Sequence, residues 1–184
     1  MSKKIGVFVG SLRKDSINRK LARALVKEAP EGFEFEDIPI DQVPHFNQDL
    51  ESNLPESVVA LKRQIESMDG YIFVTPEYNR SFPGVLSNAI DWASRPYGQN
   101  SFAGKPAMVA GASIGSISSA MAQQHLRNSL VFVDVYVMAQ PEVFIHFTDG
   151  LIDDEGNITN EETAQFIREA MRAFADWVEN FQQA

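Results

Sequence analysis

Residues 4–28, KIGVFVGSLRKDSINRKLARALVKE, carry a strand, a loop and a helix in direct succession. Residues 4–9 form a short apolar run that stops at Gly10, which reads as a buried strand. From 16 to 28, Ile17, Leu21 and Leu25 recur at every fourth position, with Ala22 and Val26 beside them. That spacing gives a helix one apolar stripe and leaves its basic residues elsewhere on the surface.

The same alternation continues along the chain. Residues 33–38 alternate like a strand, and 39–55, with Pro39, Pro44 and Pro55, read as a long loop. Residues 56–68 put Val58, Leu61, Ile65 and Met68 on one helical face. Further strands are expected at 71–75, 106–112 and about 134–138, and helices at 83–93 and about 117–132. Residues 149–162, with six acids and no base, read as a solvated loop. A last helix over about 160–182 presents Phe166, Ala170, Phe174, Trp177 and Phe181 to the core.

Strands alternating with helices five times predict an α/β three-layer sandwich. The expected form is one flavodoxin-like domain over 1–184, with a five-stranded parallel sheet in the order 2-1-3-4-5. Such sheets bind ligands beyond the carboxyl ends of strands near the order reversal. The chemistry is therefore sought in the loops at 10–18, 75–83 and 112–116.

Composition narrows the function. The 184 residues include no cysteine, which removes disulfides, thiol redox chemistry and Cys-ligated metal. The N-terminus does not read as a signal peptide and no run is long enough to span a membrane, so the cytoplasm is the expected location. A net charge of -9 disfavours nucleic acid and anionic membrane as partners. Residues 1–30 nevertheless hold eight of the 16 bases and only two acids, which reads first as a solvated helix face and second as a place for a small anion.

In the first loop, Ser11, Arg13, Ser16 and Asn18 crowd the start of a helix, whose free N–H groups and dipole favour an anion. Ser16 also suits a plain helix cap. Neither G-x-x-x-x-G-K-[ST] nor G-x-G-x-x-G is present, so a single phosphate fits better than a P-loop or Rossmann site. In the second loop, Pro76 and Tyr78 can offer surface to a flat heterocycle, and the amides of Glu77 to Asn79 its polar rim. An ordinary proline-rich turn is the alternative. The third loop, Gly111–Gly115, matches G-x-S-x-G. A hydrolase would use Ser113 as nucleophile, with Asp134 and His146 following in chain order. The histidines at 45, 125 and 146 lack metal-ligand spacing.

The runs GSLRKDSINRKLA (10–22) and TPEYNRSFPGVLSNAIDW (75–92), followed by the S-x-G loop at Ser113–Gly115, resemble the NADPH-dependent FMN reductases, in particular bacterial quinone, chromate and azo reductases. The resemblance implies a flavodoxin-like fold and non-covalent FMN. Ser11, Arg13, Ser16, Ile17 and Asn18 would hold its phosphate. Pro76, Glu77, Tyr78 and Asn79 would line the ring, and Ser113 and Gly115 would close its far edge. NADPH or NADH would deliver hydride, and a small-molecule electron acceptor (a quinone, azo compound, chromate or free flavin) would use the same face in turn, with ping-pong kinetics. No acid–base side chain is required. Homodimers or homotetramers are implied. Asp15, Ser87, Ser118 and Ser119 depart from the common pattern of the family.

A non-enzymatic, flavodoxin-type electron carrier is the remaining alternative, although its Thr-rich first loop is missing here. Arg19, Arg23 and Lys27, spaced by four, form a ridge expected to meet nicotinamide phosphates or an acidic neighbouring subunit.

Overall fold

In the computed structural model, which describes residues 2–181, the elements run β1 (Lys3–Val9), α1 (Ile17–Lys27), β2 (Phe33–Asp37), α2 (Glu56–Glu66), β3 (Gly70–Val74), α3 (Gly84–Ala93), β4 (Lys105–Ser113), α4 (Ala120–Phe132), β5 (Val135–Val137), β6 (Val143–His146) and α5 (Glu161–Phe181). The sheet is parallel with the order β2-β1-β3-β4-β5, as expected. The expected end of the last helix, 182, lies outside the described residues.

Burial explains the strand compositions. β1 from Ile5 onward and all of β3 are buried, so both faces must be apolar. Alternate residues serve different layers. Ile5, Val7, Val9, Ile72 and Val74 pack against Leu21 and Leu25 of α1 and Ile167 and Phe174 of α5. Phe8, Tyr71 and Phe73 pack against Leu61, Leu86 and Leu126 of the other three helices. Phe8 and Phe73 stack with centroids 4.5 Å apart. β2 lies at an edge and is only half covered, which is why FEFED alternates.

A sixth strand was not expected. β4 is long enough to pair twice: Lys105–Ala107 meets β5, and Ala110–Ser113 meets β6. The segment after β5 steps along β4 and extends the same edge toward the carboxyl end. Val143 and Ile145 face the α1/α5 layer. In α5 the most buried positions include Ile167, Ala170, Met171, Phe174 and Val178, while Phe166 and Trp177 are only partly buried.

The 149–162 segment differs from the solvated loop expected of it. Leu151, Ile152 and Gly156 are buried, and the loop docks on α1. Lys20 Nζ pairs with Asp154 at 3.0 Å, Arg23 donates to the Asp154 carbonyl, and Lys27 donates to the Asn157 side chain. A Cβ on Gly156 would stand 2.8 Å from the backbone of Arg23 and Ala24, so only glycine permits this approach. The basic ridge therefore meets the chain's own acidic loop, while Arg19 pairs with Asp37 at 3.1 Å.

Candidate functional site

The carboxyl ends of β1, β3 and β4 bring the three loops together. Gly10 N donates to Val74 O at 2.9 Å, turning the first loop over the end of β3. Ser11, Ser16 and Asn18 are buried there. Ser16 caps α1, its Oγ accepting from Arg19 N at 3.2 Å, and its own hydroxyl hydrogen stays available. The N–H groups of Ile17 and Asn18 open the helix and have no intrahelical acceptor. The Asn18 side chain serves the fold: Nδ2 donates to Ala112 O and Oδ1 accepts from Ala112 N, both at 2.9 Å. It clamps α1 to the end of β4 and keeps one N–H free.

The second loop is a tight hairpin turn. Tyr78 N donates to Ser81 O at 2.9 Å and Ser81 N returns a bond at 3.0 Å. Asn79 and Arg80 take left-handed conformations, φ 52° and 65°. These values define a type I′ turn, in a region that disfavours a residue such as arginine. The Tyr78 amide is thereby committed, and those of Glu77 and Asn79 remain for a ligand. Glu77 secures the turn. Its Oε1 accepts from Arg80 at 3.1 Å, and its Oε2 accepts from Met121 N and Ala122 N at 3.1 and 3.3 Å. This carboxylate caps α4, whose own N-cap Ser119 is left-handed and makes no side-chain cap bond.

The third loop explains its glycine. A Cβ on Gly111 would stand 2.3 Å from both Thr75 O and Ser119 Oγ. Ser113 ends β4, and its Oγ accepts from Gly115 N at 3.1 Å.

A cavity of about 220 Å³ lies between the loops, lined by Ser11, Arg13, Ser16, Ile17, Asn18, Pro76, Glu77, Tyr78, Ala112, Ser113 and Ile114. A smaller hollow of about 130 Å³ adjoins it, shares Glu77 and Ser113, and includes Arg80 and Gly115. Ten of the eleven residues singled out in the sequence line one or the other; Asn79, at the turn tip, lines neither. Reading the sequence missed Ala112, Ile114 and Arg80. It also missed Asn88 and Trp92, which hold the 39–55 loop by donating to Pro44 O at 2.9 and 2.8 Å.

The hydrolase arrangement does not form. Asp134 sits at the start of β5, where Gly104 N donates to its carbonyl at 2.8 Å, beside the first residue of β4. Ser113 is the last residue of that strand, roughly 26 Å away at about 3.3 Å per residue. Ser113 also lacks the strained turn of a nucleophile elbow, since it is not among the described residues with positive φ. His146 is the register partner of Ser113, yet its Nδ1 lies 3.2 Å from Gly115 O. Among the described residues no three His, Asp or Glu side chains gather as metal ligands, and no helix is long and apolar enough to cross a membrane.

Comparison with known proteins finds relatives over nearly the whole chain. The family model for NADPH-dependent FMN reductase matches residues 3–150. A 2-hydroxy-1,4-benzoquinone reductase from Burkholderia sp is 48% identical over 178 residues, covering 97% of each chain. A quinone reductase from Escherichia coli K12 is 40% identical, covering 97% of this chain and 98% of its own. The solved structure of the flavoenzyme NAD(P)H:(acceptor) oxidoreductase FerB from Paracoccus denitrificans superposes with a TM-score of 0.93 at 48% identity, covering 97% of this chain and 98% of that one. With the matched fold and the extent of these relationships, the chain belongs to the NADPH-dependent FMN reductase family.

Proposed function

We propose that this chain is an FMN-dependent NAD(P)H oxidoreductase that reduces a quinone or a similar small acceptor by two electrons, with residues 1–184 acting as one FMN-binding domain. The observation that carries the reading is the cluster of uncommitted donors where α1 begins. Ser11 and Ser16 are buried polar groups in the cavity wall, and Arg13 has no ion-pair partner among the described residues. The Glu77 carboxylate also lines the cavity, but its oxygens are engaged by Arg80 and the α4 backbone. The donor set fits a phosphate monoester.

Ser11, Arg13, Ser16 and the amides of Ile17 and Asn18 hold the phosphate. Pro76 and Tyr78 offer surface to the ring, and the amides of Glu77 and Asn79 face its polar rim. Ser113 and Gly115 close the far side. FMN, when bound, would supply the redox chemistry that links NAD(P)H to the acceptor. The side chains position and exclude water, and none is needed as acid or base. An electron carrier is disfavoured because the full-length relatives are named as reductases.

The chain works as a homodimer or homotetramer in the cytoplasm, where reduced nicotinamide is regenerated. Self-association is supported by large apolar side chains left exposed on and beside α4: Ile117, Met121, Val131 and Phe132, the last 90% exposed. Light scattering after size exclusion reads the oligomer directly.

Purified protein incubated with FMN should retain a yellow chromophore through gel filtration. NADPH should bleach it, and 1,4-benzoquinone should sustain NADPH oxidation. A protein that retains no FMN, or that is bleached but turns over no acceptor, contradicts the reading.

A further inference from the structure

A second cavity, about 290 Å³, lies on the other side of the first loop from the candidate FMN site. It shares Ser11 and Arg13 with that site and adds Lys14, Arg19 and Arg23. Its charges do not cancel. Asp41 is the one carboxylate in its lining, and Asp37 pairs with Arg19 at 3.1 Å. Arg23 gives an N–H to a neutral carbonyl, that of Asp154, and keeps further donors. Lys14 makes no ion pair among the described residues. Even with Arg13 committed to the FMN phosphate, the cavity keeps an excess of positive charge, in a chain of net charge -9.

Arg19 and Arg23 also form one wall of an adjoining crevice of about 550 Å³. Its lining includes the apolar Val7, Ala22, Val26 and Phe35, with Lys27, Asp37 and Glu155 completing it. The order along the molecular surface is therefore flavin site, cationic cavity, and a crevice that includes Phe35. That order matches a nucleotide whose redox end lies over the flavin and whose far end carries both an extra phosphate and a flat base. A phosphate monoester brings a charge of about -1.5 to -2 near neutral pH, of the sign the cavity lacks.

We propose that the cavity walled by Lys14, Arg19 and Arg23 takes the 2′-phosphate of NADPH, with the adenine lying against Phe35 in the adjoining crevice. The assignment rests on the flavoprotein reading above. It makes Lys14 the residue that separates NADPH from NADH, because the other two cations already have partners in the chain.

The test uses FMN-loaded protein, its loading established from visible absorbance before any nucleotide is added. Calorimetric titration compares adenosine 2′,5′-bisphosphate, 5′-AMP and inorganic phosphate on the wild type, Lys14→Ala and Lys14→Glu. The bisphosphate should bind the wild type about 10-fold or more tighter than 5′-AMP, the value of one charge-assisted hydrogen bond. Lys14→Glu should erase that advantage, with 5′-AMP binding and FMN absorbance unchanged. The NADPH-to-NADH ratio of kcat/KM should fall in parallel. Equal binding of the two adenosine nucleotides to the wild type, or an advantage that survives Lys14→Glu, overturns the proposal. Inorganic phosphate binding as tightly as the bisphosphate also overturns it, as a free-phosphate site. Failure to load FMN is a separate result, seen first, and overturns the flavoprotein reading and this assignment with it.

Discussion

The two ends of the sheet treat polar groups in opposite ways. At the amino end of β3 and β4 the polar side chains are paired within the chain. Tyr71 Oη donates to Ile65 O at 3.1 Å, and Ser101 Oγ donates to Glu66 at 2.7 Å. Lys105 donates to Glu66 O at 2.7 Å, and Lys62, buried, donates to Ala93 O and Gln99 O. Burial, aided by Glu66, pushes the Tyr71 phenol well above its usual range; burial pulls the Lys62 ammonium down, opposed by Glu66. At the carboxyl end, Ser11, Ser16, Arg13 and the first amides of α1 keep donors in reserve. Four of the five described non-glycine residues at positive φ, Asn79, Arg80, Ser118 and Ser119, lie there too. The first arrangement stabilises the fold; the second keeps binding capacity at some cost in strain.

That contrast can be broken from either end. The largest expected effect is on Gly111→Ala, whose Cβ meets a backbone oxygen at 2.3 Å. It should cost about 3 kcal/mol by overpacking and abolish FMN retention, read by denaturant melts and absorbance. Lys62→Ala, at the opposite end, leaves two carbonyls without their donor. It should cost about 2 kcal/mol and leave FMN affinity of the folded protein unchanged. Equal damage to binding from both variants would erase the distinction between the two ends. Glu77→Ala removes the cap of α4 and the partner of Arg80. It should cost about 1 kcal/mol and weaken FMN binding several-fold, with Glu77→Gln recovering part of both.

The smallest effect concerns the acidic loop. Bonds from the Asn157 side chain and backbone, helped by the Glu155 amide and Lys27, hold the Asp153 carboxyl below the usual aspartate range. A carboxyl depressed in the folded state contributes stability above its unfolded pKa and loses it as pH falls through the folded one. Hydrogen exchange over 153–157 should therefore speed up as pH drops below the usual aspartate value, after correction for intrinsic rates. Asp153→Ala should remove that pH dependence.

Local patterns were legible where a residue's role depends on near neighbours. The period of Leu21 and Leu25 and the buried runs of β1 and β3 located the sheet, and the rule that ligands sit at carboxyl strand ends pointed to the three loops that meet there; the full set of individual residues within those loops came from the family resemblance. Roles set by distant partners were not. Glu77 meets an amide 44 positions on, Asn18 meets Ala112, and Arg23 and Lys27 meet a loop some 130 residues away. The acidic composition of 149–162 suggested solvent because nothing local shows that α1 lies opposite. β6 escaped notice because its pairing with Ala110–Ser113 depends on the unusual length of β4, some 30 residues earlier in the chain.

The donors kept free at the start of α1 exist, on this reading, for the phosphate of FMN. The most direct test compares FMN with riboflavin, the same ring without the phosphate, on the wild type and on Arg13→Ala. The wild type should bind FMN at least about 10-fold tighter than riboflavin, and Arg13→Ala should narrow the gap by loss of FMN affinity alone. Equal affinity for the two flavins, or a gap untouched by Arg13→Ala, would contradict it.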